Sequence, residues 1–172
     1  TNAGIILDLK LHEIPATVKR AFMAASLYRP QFVTVHCDEG GEILKSVAEE
    51  NPGNSKILAI NVLTSLNQEK LKKLGYAGEY ADNVSALVLL KARMAKAAGC
   101  HGVVCSGLEV AAVRREIGPH MIAVTPGIRP AWTVVDQDDQ KRIVTPADAV
   151  RNCSDYVVIG RPIRDAKDPQ DA

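Results

Sequence analysis

No stretch of this chain approaches the roughly 18 consecutive apolar residues that a membrane-spanning helix needs. The opening TNAGIILDLK has neither the basic start nor the cleavage region of a signal peptide. The expected setting is therefore the cytoplasm, with no membrane partner. An excess of either charge is also missing. The 21 Lys and Arg against 20 Asp and Glu leave no broad basic surface for nucleic acid. Any anion must be bound locally. The four cysteines, Cys37, Cys100, Cys105 and Cys153, form no C-x-x-C pair, and no histidine sits at zinc-ligand spacing. They are read as reduced and structural. No G-x-G-x-x-G follows the first apolar run, and VVCSG lacks the G-x-S-x-G of a nucleophile elbow.

What is present is a repeating unit. At 172 residues the chain has the size of one domain with a real core. Ile5 to Lys10 reads as a strand buried on both sides until its last residues turn charged. Short β-branched runs then recur as QFVTVHC, KILAINVLT, GVVCS, MIAVTPGI and DYVVIGRPI. They alternate with helical patterns such as GGEILKSVAEE, NVSALVLLKARMAKAAG and LEVAAVRREIG. In TPADAVRN, Thr145 can cap a helix, Pro146 fits its first position and Asp148 can face the free amides. Strict alternation with buried strands implies a parallel α/β sheet, either doubly wound or a (β/α) barrel.

Polar residues close nearly every strand: Asp8 and Lys10, His36 and Asp38, Thr64 and Ser65, Ser106, Thr125 with Arg129, and Arg161. That distribution favours a TIM (β/α)8 barrel, because a doubly wound sheet concentrates its ligand residues at one switch point. A barrel takes eight strands in typically about 200 residues or more. With six strands in 172 residues, the expectation is one partial barrel domain over 1–172, lacking its first two βα units.

DLKLHEIPATV, from Asp8 to Val18, raises the chemical question, since it sets a lysine between two acids. Period-2 geometry puts Asp8 and Lys10 on one face, and Glu13 lies beyond the strand, where Pro15 opens a helix. IGRP places Gly160 and Arg161 at the end of the last strand, where barrel enzymes commonly bind phosphate. From Pro126 to about Thr145 no periodic structure is evident, and loops beyond roughly 12 to 15 residues are often lids. His36 within an apolar strand reads as a hydrogen-bonded core residue, Cys105 as core-facing and His12 as structural.

LDLKLHEIPATV, VLTS, GVVCSGLE, VTPGIRP with DDQKRIVTPADA, and DYVVIGRPIRDAKDP, in this order, resemble the bacterial-type orotidine 5′-monophosphate decarboxylases over nearly the whole chain. The resemblance implies removal of carbon dioxide from C6 of orotidylate to give uridylate, with no metal and no organic cofactor, through a carbanion that must be protonated. It implies that Lys10 is the proton donor and Asp8 the carboxylate beside the substrate's own. Glu13 stands where the family usually has Asp, which reaches across a homodimer interface into the neighbour's site. Ile14 and Thr17 match positions that also serve the partner. Thr64 and Ser106 match positions that bond the pyrimidine or its neighbours. Arg161, Gly160, Pro126, Arg129 and Gln140 match the phosphate end, Gln140 from the lid.

Two alternatives remain open on the residues alone. One is a Mg²⁺-dependent sugar-phosphate decarboxylase or aldolase of the same barrel superfamily, which shares D-x-K-x-x-D. The other is a non-catalytic nucleotide-binding fragment.

Overall fold

The computed structural model describes residues 3–38, 40–53, 55–133 and 142–172. Strand and helix alternate from the start: β1 (Ile6–Leu11), α1 (Pro15–Ser26), β2 (Phe32–His36), α2 (Gly41–Glu49) and β3 (Lys56–Ile60). Two short helices, α3 (Gln68–Lys73) and α4 (Gly78–Ala81), precede α5 (Val84–Ala97) and β4 (Gly102–Val104). The chain continues through α6 (Val110–Ile117), β5 (Ile122–Thr125), α7 (Pro146–Arg151), β6 (Tyr156–Val157) and α8 (Arg161–Arg164).

All six strands are parallel and lie in the order β1-β2-β3-β4-β5-β6. A doubly wound sheet reverses its strand order at a switch point, whereas a barrel adds each strand beside the last. The sheet is therefore part of a TIM barrel. Alternation along the strands divides the apolar residues between two layers. Val33, Val35, Ile57, Ala59, Val103 and Ala123 face outward and join Val18 and Phe22 of α1, Leu44 and Val47 of α2, and Val88 and Ala92 of α5 in the main core. Full burial of each large side chain there contributes about 1.5–3 kcal/mol. Phe32, Leu58 and Val124 face inward and form a separate small cluster, with Tyr156 edge-on to Phe32 at 5.4 Å. Gly102 leaves no room for a side chain beside that inner layer. A Cβ there would lie 2.5 Å from the Ile122 carbonyl and 2.8 Å from Leu58, so a side chain would force β4 and β5 apart.

β1 departs from the expectation of a strand buried on both sides. Ile6 and Leu9 are 43% and 50% exposed, and Tyr156 and Val157 of β6 are similarly open. The cause is position, because each of these strands has a hydrogen-bonded neighbour on one side only. α7 starts as its residues predict. The Thr145 hydroxyl accepts from Asp148 N at 3.2 Å, and the hydrogen bond from Thr145, then that from Arg151, hold the Asp148 carboxyl below its usual range. Among the described residues no helix is long and apolar enough to cross a membrane.

Candidate active site

A cavity of about 470 Å³ opens at the C-terminal ends of the strands. Ile6, Leu58, Ile60, Val104 and Val124 form its apolar floor and walls, and its polar groups stand around the rim.

The geometry begins with an irregularity in β1. Ile6 pairs with Phe32 and Leu7 with Val33, but the next pair is Leu11 with Val35, so residues 8–10 stand opposite Thr34 alone. The extra residues bulge, and Lys10 takes φ +49°, a left-handed conformation that costs a lysine energy and persists where its surroundings enforce it. Thr34 does the enforcing. Its Oγ1 accepts from Lys10 N at 2.8 Å, replacing a ladder partner that the bulge removes, and donates to Asp8 Oδ1 at 3.0 Å. The other Asp8 oxygen takes the Lys10 ammonium in an ion pair. Both charges keep substantial contact with solvent. They line the cavity together with Thr34.

Thr64 and Ser65 enter from the segment after β3, and Pro126, Gly127 and Arg129 from the one after β5. Gly160, the N-cap of α8, and Arg161, its first residue, stand across the sheet from β1. Arg129 is nearly buried, with Nη1 donating to its neighbour's carbonyl, Ile128 O, at 2.9 Å. The charged residues of the wall are thus Lys10, Arg129 and Arg161 against Asp8. In a near-neutral chain this local excess of positive charge suits an anionic ligand.

The segment between β5 and α7 is rooted firmly. Ile128 bridges Val144, Arg129 N donates to Val144 O at 2.9 Å, and Val144 N donates to Gly127 O at 3.2 Å. Arg142 is buried there. Its Nη1 donates to Glu109 Oε1 at 2.9 Å and its Nη2 to Val62 O at 2.7 Å, which ties this root to the ends of β3 and β4. Gln140 lies outside the described residues.

Four of the described residues that the resemblance assigns to the site do not line the cavity. Ser106 is fully buried, accepting from Leu108 N at 3.2 Å and donating to Arg142 O at 3.5 Å, and the wall at that point is its neighbour Cys105. Glu13, Ile14 and Thr17 sit around the start of α1. Glu13 Oε2 accepts from Ile14 N at 2.9 Å, and the Ile14 side chain, 64% exposed, points into solvent.

The neighbouring polar groups are structural. His36 Nδ1 lies 2.6 Å from Asp38 Oδ2, the other Asp38 oxygen pairs with buried Lys91, and His12 stacks on His36 at 4.9 Å. The hydrogen bond to His36, ahead of Lys91, holds the Asp38 carboxyl well below its ordinary value despite partial burial. Burial pushes the thiols of Cys37, Cys100 and Cys105 up to about 12, so none is a thiolate nucleophile near neutral pH. Among the described residues, no three His, Cys, Asp or Glu side chains gather closely enough to hold a metal ion.

Thr34 and the Arg142–Glu109 pair escaped the sequence reading. Thr34 carried one weak signal, the alternation in VTVH that puts it on the same strand face as His36. Arg142 carried none, since DDQKR reads as a solvated charge run.

Residues 1–172 match the sequence model of the "Orotidine 5'-phosphate decarboxylase / HUMPS family". An orotidine 5′-phosphate decarboxylase of Desulfosudis oleivorans is 45% identical over 167 residues, covering 97% of this chain and 67% of that protein. One from Methylococcus capsulatus is 48% identical over 168 residues, covering 98% of this chain and 66% of that protein. The crystal structure of orotidine 5′-phosphate decarboxylase from Lactobacillus acidophilus superposes with a TM-score of 0.80 at 35% identity, over 98% of this chain and 71% of that one. The chain thus spans about two thirds of the length of these relatives. With an acid and a lysine paired at one rim of the cavity and an arginine at the other, in a fold that superposes on a solved orotidine 5′-phosphate decarboxylase, the chain belongs to the orotidine 5′-phosphate decarboxylase / HUMPS family.

Proposed function

We propose that this chain carries the catalytic face of an enzyme that decarboxylates orotidine 5′-monophosphate to uridine 5′-monophosphate. The observation that carries the reading is the Asp8–Lys10 pair on one rim of an apolar cavity whose opposite rim holds Arg161. Phosphate binds at Gly160 and Arg161, with Arg129 and Pro126 beside it and Gln140 as a further ligand. The pyrimidine then lies over the apolar floor toward Thr64 and β1, with Ser106 supporting that side from behind Cys105.

Charge explains the chemistry. The substrate carboxylate set against Asp8 brings two anions together, and loss of carbon dioxide removes one of them, so the pair is less unfavourable in the transition state than in the ground state. The charge that develops at C6 faces the Lys10 ammonium, which stabilises it and then donates its proton to that carbon. Neither step uses an organic cofactor or a metal.

In this reading residues 1–172 form one domain holding six of the eight βα units of the barrel, and two copies pair as a homodimer. Glu13, Ile14 and Thr17 are exposed or half-exposed around the start of α1 and do not line the cavity, which supports a role toward a partner's site rather than their own. Glu13 is a methylene longer than aspartate, which sets its carboxylate away from the position an Asp would hold. Nothing in the composition calls for a nucleic-acid or membrane partner, and a cytoplasmic setting fits a soluble nucleotide substrate.

The test is the fall in orotidylate absorbance, followed with residues 1–172 fused behind the N-terminal βαβα unit of the Methylococcus capsulatus relative as the wild type and with Lys10→Ala in that fusion, each with and without chelator. The expected result is chelator-independent turnover that drops about 100-fold or more in K10A, while uridylate affinity stays near the wild-type value. Full activity in K10A overturns the assignment of the proton donor. Activity that collapses with chelator moves the chain to a metal-dependent sugar-phosphate branch, and nucleotide binding without turnover makes it a binding protein.

A further inference from the structure

We propose that Thr34 is a positioning residue whose hydroxyl sets the relative placement of Asp8 and Lys10. This rests on the reaction proposed above.

Three observations converge on it. The Thr34 side chain is almost wholly buried yet lines the cavity, so it stands directly behind the reacting groups. Its one oxygen serves both partners, accepting from Lys10 N at 2.8 Å and donating to Asp8 Oδ1 at 3.0 Å. It also lies opposite the bulge where Lys10 adopts φ +49°, the only non-glycine residue of the described β-strands with a positive φ. The two hydrogen bonds have different consequences. The bond to Lys10 N fixes the backbone from which the lysine side chain departs, and so the direction in which the ammonium approaches the cavity. The bond to Asp8 holds the carboxylate rotamer, leaving Oδ2 for the ammonium.

Losing the hydroxyl loosens both ends of the ion pair at once. A β-branched apolar side chain in the same place keeps the strand packing and the volume, but the bulge then lacks an acceptor for Lys10 N. Neither hydrogen bond touches the phosphate end, where Arg161 stands across the sheet. The consequence falls on turnover rather than on binding, because a displacement of about 1 Å at a reacting group can cost about 100-fold in rate.

Thr34→Val and Thr34→Ser separate geometry from packing. The valine variant keeps the shape and loses the oxygen, whereas the serine variant keeps the oxygen and loses a methyl group. Steady-state kinetics on orotidylate, uridylate affinity by titration and thermal melting are measured in the same closed-barrel fusion, with Thr34 unchanged as wild type and with each of the two substitutions. Expected are a ~10- to 100-fold fall in kcat for T34V with KM and uridylate affinity within about threefold of wild type. T34S should return to within a few-fold of wild-type kcat although it packs less well. A kcat for T34V within twofold of wild type overturns the proposal, as does a T34S loss equal to that of T34V, which assigns the residue to packing. Should T34V fail to fold, Thr34→Ala compared with T34S gives the same reading, since both lack the methyl group and only one carries the oxygen. An inactive wild type refutes the proposed reaction itself, whereas an active wild type with an unaffected T34V refutes only the role of Thr34.

Discussion

Lys10 shows how much a single backbone angle decides. In a regular strand, residues 8 and 10 would share a face but stand apart along it; the bulge with φ +49° brings the Lys10 ammonium back onto the Asp8 carboxylate. An aspartate and a lysine in contact are modest as a source of stability when both reach solvent. On the proposed function, their value lies in being held beside one carbon of a bound ligand. At the opposite rim, Arg161 can meet a phosphate as a planar fork, and a charge-assisted pair of bonds there gives most of its energy to the phosphate and none to a nucleoside. Arg161→Ala should therefore weaken uridine 5′-monophosphate binding by about 2–4 kcal/mol while changing uridine binding little. Calorimetric titration of both ligands against both proteins checks this, and equal losses for the two ligands would make Arg161 structural.

The loops after β3, β4 and β5 form one connected element through Arg142. Its guanidinium is buried with the Glu109 carboxylate and also satisfies the Val62 carbonyl, while Ser106 donates to the Arg142 carbonyl. Removing one partner leaves an uncompensated buried charge, so Arg142→Ala should cost about 3–5 kcal/mol in urea unfolding. A paired change of Arg142→Met with Glu109→Leu should recover a large part of that loss, because neither charge is then stranded. These elements also mark where reading the sequence succeeded and where it stopped. The alternation of β-branched runs with amphipathic helices exposed the parallel sheet, and charged strand ends exposed Asp8, Lys10 and Arg161. The bulge was invisible because residues 8–10 contain no glycine, the residue that usually announces a left-handed angle. Thr34 was hidden because threonine is an ordinary strand residue, favoured there for its branching whether or not its hydroxyl is used. Arg142 was hidden because burial of a charge depends on a partner, here Glu109, which is remote in sequence and close only after folding. The exposure of β1 and β6 was missed for a related reason: apolar content reports what a strand can bury, and only the sheet order reveals how many neighbours it has.

At the scale of the molecule, the sheet has two edges, β1 and β6, each with one face of its backbone hydrogen-bonding groups open. On the proposed reading those edges are where two further βα units close the barrel. The expected outcome is no orotidylate turnover from residues 1–172 alone. Fusing the N-terminal βαβα unit of the Methylococcus capsulatus relative ahead of Thr1 should produce activity that does not respond to chelator. Glu13→Asp in that fusion should raise the rate further. Turnover by residues 1–172 alone, measured in the same absorbance assay, would show that six strands suffice. The identity of strand order with chain order has a kinetic meaning as well. Each described strand after β1 pairs with the one made just before it, so the loops closed there stay short, and in the closed barrel only the first and last strands must wait for a distant partner. Such a sheet can grow unit by unit as the chain leaves the ribosome, each new strand covering the edge left by the last and leaving its own open until the final unit closes the ring.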